Sequence, residues 1–380
     1  LVGSEMCIRD RKIALTLAAA SCLLLAGCGE DTTTDKKAEK AVSSTEPLKA
    51  AWVYPSPRAD EGWSKQHEEA RMLIEQKYGD KIKTQVVDNV TNTVDAERVI
   101  RDLAAQGNKI IFATSFTYMN PALKVAKEFP DVKFENCTGY KTAANYSNYN
   151  ARFYQARYLA GKLAASMSKT AHLGYVAAMP IPEVLQGINA YTLGAQSVNP
   201  DVKVSVVWTN TWYDPGKEVD ATNTLIGQGC DILTHHTDST AVPATAESRG
   251  VKVISYHSAM TKTAPKQLIG AVTHHWDEYY AHRIQALYDG KWKVEPVWGG
   301  AELHMVRLSA ITPDAPKSVV EDINAVYSKM EKKEFSVFSG PIVDNEGKVQ
   351  IPEGKVADDK MLNTMNYFVK GVIGKVPTGK

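Results

Sequence analysis

Twice along this chain, short apolar runs alternate with amphipathic stretches, and that rhythm constrains the fold more than any other feature. In the first round Ala50-Ala51-Trp52-Val53-Tyr54 reads as a buried strand and residues 64–78 as a helix. Strand 83–87 and helix 95–106 follow, the helix with Val99, Leu103 and Ala104 on one face, then strand 109–114, helix 121–129 and strand 132–135. Repeated β-α-β of this kind implies parallel sheet covered by helices on both faces. A long small-residue helix over 152–167, with Ala156, Leu159, Ala160, Leu163 and Ala164 at helical spacing, closes the round. The second round has strand 172–176, helix 183–198 ending at Asn199-Pro200, strand 202–208, helix 215–228, strand 231–234, helix 242–249, and strands 251–256 and 268–272. Helices 278–288 and 318–332, a hairpin over 340–351 turning at Asn345-Glu346-Gly347, and a last helix 359–369 complete the chain. Two α/β units of similar size predict two lobes of one architecture. Residues 48–152 plus about 268–305 are assigned to the first, and 153–267 plus part of 306–380 to the second. The closing elements must complete both lobes, so the chain is expected to cross between them more than once, with right-handed crossovers. No short period repeats, which argues against a solenoid.

Residues 1–28 read as an export signal. Arg9, Arg11 and Lys12 form a positive start, residues 13–20 a short apolar run, and Leu25-Ala26-Gly27-Cys28 a tetrad of lipobox type, in which the Cys is diacylated and becomes the new N-terminus. The run is too short and wrongly flanked for a spanning helix. Residues 1–5, before Met6, read as upstream translated sequence. Residues 29–47, with Asp31-Thr32-Thr33-Thr34-Asp35-Lys36-Lys37 and Ser43-Ser44-Thr45, bury too little to offset their ordering entropy and read as a flexible tether.

The body from residue 48 is long enough for two cores. Its charges nearly balance, 44 Lys and Arg against 43 Asp and Glu over the chain, and are interspersed, which leaves no basic stripe for nucleic acid. Only Cys137 and Cys230 follow Cys28, and two free buried thiols are expected rather than a disulfide.

Ligands of open parallel sheets sit outside the carboxyl ends of the strands. Those ends carry Tyr54-Pro55-Ser56, then Thr114-Ser115-Phe116 with Asn120 beyond, then Met179-Pro180-Ile181-Pro182-Glu183, Trp212, His235-His236-Thr237-Asp238 and Tyr256-His257. Trp63 and Trp212 occupy corresponding polar loops, each just ahead of a helix. Two indoles facing across a cleft would clamp a flat ring, although each alone could simply cover its helix terminus. Ser115, Asn120, Glu183, Asp238 and His257 offer donors and acceptors at the same edge, suited to the in-plane groups of a purine; helix capping is the competing role, above all for Asp238-Ser239.

The loop Asp60-Glu61-Gly62-Trp63-Ser64 resembles the aromatic ligand loop of the basic membrane protein family of importer receptors. Similar to that family too are Phe129-Pro130-Asp131-Val132-Lys133-Phe134, residues 174–182, Val198-Asn199-Pro200-Asp201 and Gly340-Pro341-Ile342-Val343-Asp344. The resemblance covers essentially the whole body. It implies a type I periplasmic-binding-protein fold, two Rossmann-like lobes with a ligand cleft between them. It also implies no catalysis and no cofactor, but capture of a purine by a monomeric, lipid-anchored receptor that delivers it to an ABC permease. By position, Trp63 and Trp212 match the family's stacking aromatics, Asn120 a carboxylate or amide that reads the base edge, and Met179 an apolar wall. Where nucleoside receptors hold the ribose with an Asp and a Lys, His257 and His274 stand here, which favours a free base such as adenine or hypoxanthine over a nucleoside.

A receptor for a metal ion or another small solute is the alternative, since His235, His236, His257, His274 and His275 lie near strand ends. Neighbouring residues on a strand point to opposite faces, so each adjacent pair offers one imidazole inward. No GxSxG, GxxxxGK[ST] or post-strand GxGxxG motif supports an enzyme.

Overall fold

Fifteen strands and ten helices fill the described residues, 46–59 and 61–377, of the computed structural model. The segment read as an export signal, Cys28, nearly all of the expected tether and Asp60 lie outside the described residues. The first sheet contains β1 (Leu48–Val53), β2 (Ile82–Val87), β3 (Ile110–Ala113), β4 (Lys133–Cys137), β5 (Tyr146–Ala151) and β11 (Val297–Gly299), in the spatial order β11-β5-β4-β3-β1-β2 and parallel throughout. The second contains β6 (His172–Ala177), β7 (Lys203–Trp208), β8 (Ile232–His236), β9 (Lys252–His257), β10 (Leu268–His274), β12 (Val306–Ser309) and β15 (Val372–Ile373), ordered β12-β10-β9-β8-β6-β7-β15. Only β12 runs antiparallel in it. Strands β13 (Ile342–Val343) and β14 (Val349–Ile351) form the expected hairpin. Both sheets belong to one compact unit.

The apolar runs become strands because both of their faces are covered. Along β1, Ala50 and Trp52 enter one core while Ala51 and Val53 enter another; Ile110 and Phe112 of β3 part from Ile111 and Ala113 in the same way. A strand buried on both faces has no use for alternating polarity, which is why these segments read as continuous hydrophobic runs. The covering helices are α1 (Trp63–Tyr78), α2 (Thr93–Ala105), α3 (Met119–Glu128) and α8 (Asp277–Tyr288) on the first sheet. Around the second lie α4 (Phe153–Met167), α5 (Pro182–Gln196), α6 (Pro215–Gly227), α7 (Ala241–Arg249), α9 (Lys317–Glu331) and α10 (Asp359–Asn363). The small residues of α4 serve its crossing with α5. A Cβ at Gly161 would fall 1.9 Å from the Tyr191 carbonyl oxygen, and one at Gly194 the same distance from that of Tyr158. Only two glycines let these backbones approach so closely.

The chain passes from one sheet to the other after β5, after β10 and after β11. Strand β10 is therefore corrected: assigned with residues 268–305 to the first lobe, it pairs with β9 in the second sheet, while α8 and β11 return to the first. Helix α8 is tied there through the buried Glu135 of β4, whose carboxylate accepts from Arg283 Nε (2.5 Å), Tyr279 Oη (2.8 Å) and Trp292 Nε1 (2.8 Å). The last helix is shorter than the expected 359–369. Asn189 of α5 donates to the Tyr367 carbonyl (2.8 Å) and accepts from the Val369 amide (2.9 Å), holding residues 367–369 outside the helix. Cys137 and Cys230 are free and buried. Among the described residues, no helix is long and apolar enough to cross a membrane.

Candidate functional site

The carboxyl ends of the strands in both sheets converge on a cavity of about 920 Å³. From the first sheet come Pro55 after β1, Ser115 and Phe116 after β3, Thr138 after β4, Asn148 and Asn150 of β5, and Trp298 of β11. From the second come Ile181 after β6, Trp212 after β7, His236 and Asp238 at the end of β8, and Tyr256 and His257 of β9.

Trp63 and Trp212 both line this space, one from each side. Trp63 opens α1 and is only 8% exposed; its Nε1 donates to the Thr114 carbonyl at 2.7 Å, and the rings of His67 and His274 lie 4.7 and 4.9 Å away. Those contacts hold the indole in one orientation before any ligand arrives. Trp212 is less buried, with the His236 ring at 6.2 Å and its carbonyl accepting from the Asp238 amide at 2.8 Å. Gly62 explains the small residue before Trp63: a Cβ there would lie 1.9 Å from the Asp238 carbonyl oxygen of the second lobe. Beside it Glu61 bridges the same gap, its side chain accepting from Thr263 Oγ1 (2.8 Å) and its carbonyl from Ser258 Oγ.

The polar edge is made by Glu183, Asp238 and His257. Glu183 accepts from Asn150 Nδ2 (2.9 Å) and faces His236 Nε2 at 3.7 Å. Capping ahead of α7 falls to Ser239, whose Oγ accepts from the Ala241 amide (3.1 Å), so Asp238 keeps its carboxyl toward the cavity. Its Oδ1 lies 3.3 Å from His257 Nε2. Burial pushes the Asp238 carboxyl well above the usual carboxylate range, and the charges of Glu218 and Glu183 push it further. His257 carries its proton on Nε2, which donates to the Thr237 carbonyl at 3.0 Å; its Nδ1 then accepts from His274 Nε2 at 2.9 Å. Burial, with His274 adjacent, holds the His257 imidazole well below its ordinary pKa and hence neutral. His257 at φ 76° and Thr138 at φ 62° occupy the left-handed region that non-glycine residues avoid, and both line the cavity.

Ser115 and Phe116 also line the cavity, Ser115 while capping the short turn after β3 by accepting from the Thr117 amide (3.3 Å). Asn120 is not there. It sits on the exposed first turn of α3, accepts from Lys141 Nζ at 2.8 Å and faces a separate groove beside Arg98 and Lys124. Helical rotation after Met119 carries it away from the base edge that the resemblance implied. Met179 is likewise displaced: its carbonyl accepts from the Ile181 amide (2.8 Å), and Ile181 with Pro182 forms the apolar wall instead. His274 is fully buried behind His257 rather than in the wall. The histidines do not gather as ligands. His235 Nε2 accepts from the Tyr256 amide (3.2 Å), His275 meets Thr273 (3.1 Å), and among the described residues no group of three or more His, Cys, Asp or Glu could hold a metal ion.

Sequence reasoning missed Asn148, Asn150, Arg152, Trp298, Asp359 and Asn363 in the wall. Only β5 left a signal, in the spacing of Asn148 and Asn150, two apart on one strand and hence on one face.

Residues 48–344 match the family model described as ABC transporter substrate-binding protein, PnrA-like. The chain belongs to that family. Such a protein is a solute receptor rather than an enzyme, serving an ABC transporter from outside the cytoplasm. A purine-binding protein of Brucella abortus is 47% identical over 89% of this chain and 96% of its own length. A Haloferax volcanii protein whose name assigns it glucose binding for an ABC transporter is 33% identical over the full length of both. Among solved structures, a solute-binding protein of an ABC transporter from Conexibacter woesei superposes with a TM-score of 0.63 over 76% of this chain and 98% of its own, at 21% identity, which shows the shared type I periplasmic-binding-protein fold.

Proposed function

We propose that this PnrA-like receptor is a lipid-anchored monomer that captures a purine for an ABC importer, with the free base preferred over the nucleoside. The carrying observation is that Trp63 and Trp212 reach one cavity from opposite lobes, with Glu183, Asp238, Asn150 and His257 around them. The flat faces of a purine stack on the indoles while its ring nitrogens and exocyclic group meet the polar edge. Three features support the cargo: the name of the Brucella relative, the aromatic pair, and the neutral His257 where nucleoside receptors place a charged group for ribose. Binding stabilises the closed arrangement of the lobes, and the closed form is what the permease recognises.

Titration calorimetry with adenine, hypoxanthine, adenosine, inosine and glucose tests the cargo. The two bases are expected to bind most tightly and glucose to give no heat. Tighter binding of the nucleosides overturns the preference, and binding of glucose alone overturns the purine reading. The anchor rests on Leu25-Ala26-Gly27-Cys28. Cys28→Ser is expected to abolish fatty-acyl incorporation and release the protein from the membrane fraction; unchanged membrane retention and labelling would reject a lipid at Cys28.

A further inference from the structure

The family match ends at residue 344, yet the chain beyond it returns to the cleft. Strand β15 adds to the edge of the second sheet beside β7, and α10 sits on α5, where Gln186 Nε2 donates to the Leu362 carbonyl at 2.9 Å. This brings Asp359 and Asn363 into the cavity wall. There Asp359 meets Arg152, at the turn between β5 and α4, in a bidentate pair: NH1 to Oδ1 at 2.8 Å and NH2 to Oδ2 at 2.9 Å. The guanidinium is fixed on its other sides, with Nε donating to the Trp298 carbonyl (3.1 Å) and Cζ lying 4.2 Å from the Trp298 ring centroid. Fork-to-carboxylate geometry of this kind is the strong, oriented form of ion pair.

Arg152 is the only Lys or Arg among the described residues lining the cavity, and Asp359 occupies its charge. At about 920 Å³ the cavity lies at the upper end of small-molecule sites, so size alone does not keep a nucleotide out. Charge does. With Arg152 neutralised and Glu183 also in the wall, a phosphate entering the cleft loses its hydration and gains no free cation. We propose that Asp359, supplied by the segment beyond the family core, is a specificity-determining residue: by neutralising Arg152 it makes the cleft accept neutral purines and reject phosphorylated ones. The inference rests on the purine reading above. It makes Arg152 a latent phosphate site, since the same fork that binds a carboxylate fits a phosphate.

Calorimetry of adenine and AMP on the parent, Asp359→Asn, Asp359→Ala and the double variant Arg152→Gln/Asp359→Asn separates the possibilities. The parent is expected to bind adenine and not AMP. Either single variant should gain AMP affinity by about tenfold or more, the size of one charge-assisted contact, while adenine changes by less than about threefold. The gain should fall with added salt and disappear in the double variant. Asp359 is well exposed, so its loss leaves the core intact, and retained adenine binding reports a folded cleft. Retained adenine binding without any AMP gain overturns the selectivity role and leaves the purine reading standing, as does a parent that already binds AMP as well as adenine. A parent that binds neither adenine nor hypoxanthine overturns the purine reading, and the selectivity role with it.

Discussion

Replacing Trp212 with alanine is expected to weaken purine binding by roughly five- to a hundredfold while leaving thermal stability nearly unchanged. A base stacked on an aromatic side chain loses about 1–3 kcal/mol when that side chain is truncated to alanine. Trp212 is partly exposed at the edge of the core, so little packing is lost with it. Trp63→Ala should lower affinity by a similar factor but also cost the fold. Its indole is 8% exposed, hydrogen-bonded to Thr114 and packed among His67, His274, Phe153 and Trp276. Truncating a buried aromatic to alanine typically costs about 3–5 kcal/mol. Calorimetry well below the melting temperature, with circular dichroism on the same samples, separates the two effects. If both folded variants bind adenine like the parent, the ring is not held between these indoles.

Acid is expected to unfold the protein far more steeply than it would a chain of similar size without buried histidines. His67, His235, His236, His257 and His274 are all buried, and burial is the leading cause that depresses each imidazole, His235 to about 3. The less buried His275 is depressed to about 4. The sign follows from proton counting. Above the unfolded-state pKa near 6.5 neither state binds protons at these groups, whereas below it the unfolded chain binds protons that the folded interior refuses. Stability from neutral imidazoles is therefore complete above about pH 6.5 and lost as pH falls toward the folded values of about 3 and 4. Asp238, Glu218 and Glu135, whose carboxyls burial raises, act the other way and offset part of this loss, because a raised carboxyl binds protons more tightly in the folded state than in the unfolded chain. The six depressed imidazoles outnumber the three raised carboxyls, so the net effect is a loss of stability as pH falls. Melting temperatures measured from pH 7 to pH 4.5 should fall steeply below pH 6. A flat profile would mean that these rings are hydrated or already charged at neutral pH.

Trp63 and Trp212 were legible as cavity residues because a large indole on a polar loop ahead of a helix is a local oddity, although Trp63 also packs into the core. Glu183, Asp238 and His257 could be read for a related reason, since each stands at or within a few residues of the carboxyl end of a strand, where the parallel-sheet rule places ligands. Asn120 and Met179 failed on the same rule. A single residue of helical rotation at Met119, and one backbone hydrogen bond from Ile181 to Met179, decide which side chain faces the cleft, and neither has a sequence signature. Residues Arg152 and Asp359 were invisible as a pair because 207 positions separate them and nothing local marks their meeting.

The amino-acid sequence by itself determined the class of fold and the existence of two lobes, since unbroken apolar strands alternating with amphipathic helices can bury themselves only as layered parallel sheets. It also marked Trp63 and Trp212, local features of two loops that both line the cavity. Tertiary structure alone decided that β10 joins the second sheet, that β15 extends its edge and that the last segment walls the cleft. Each of these depends on which distant surfaces remain uncovered once the sheets have formed, and such leftover surface is a property of the assembled layers rather than of any stretch of chain.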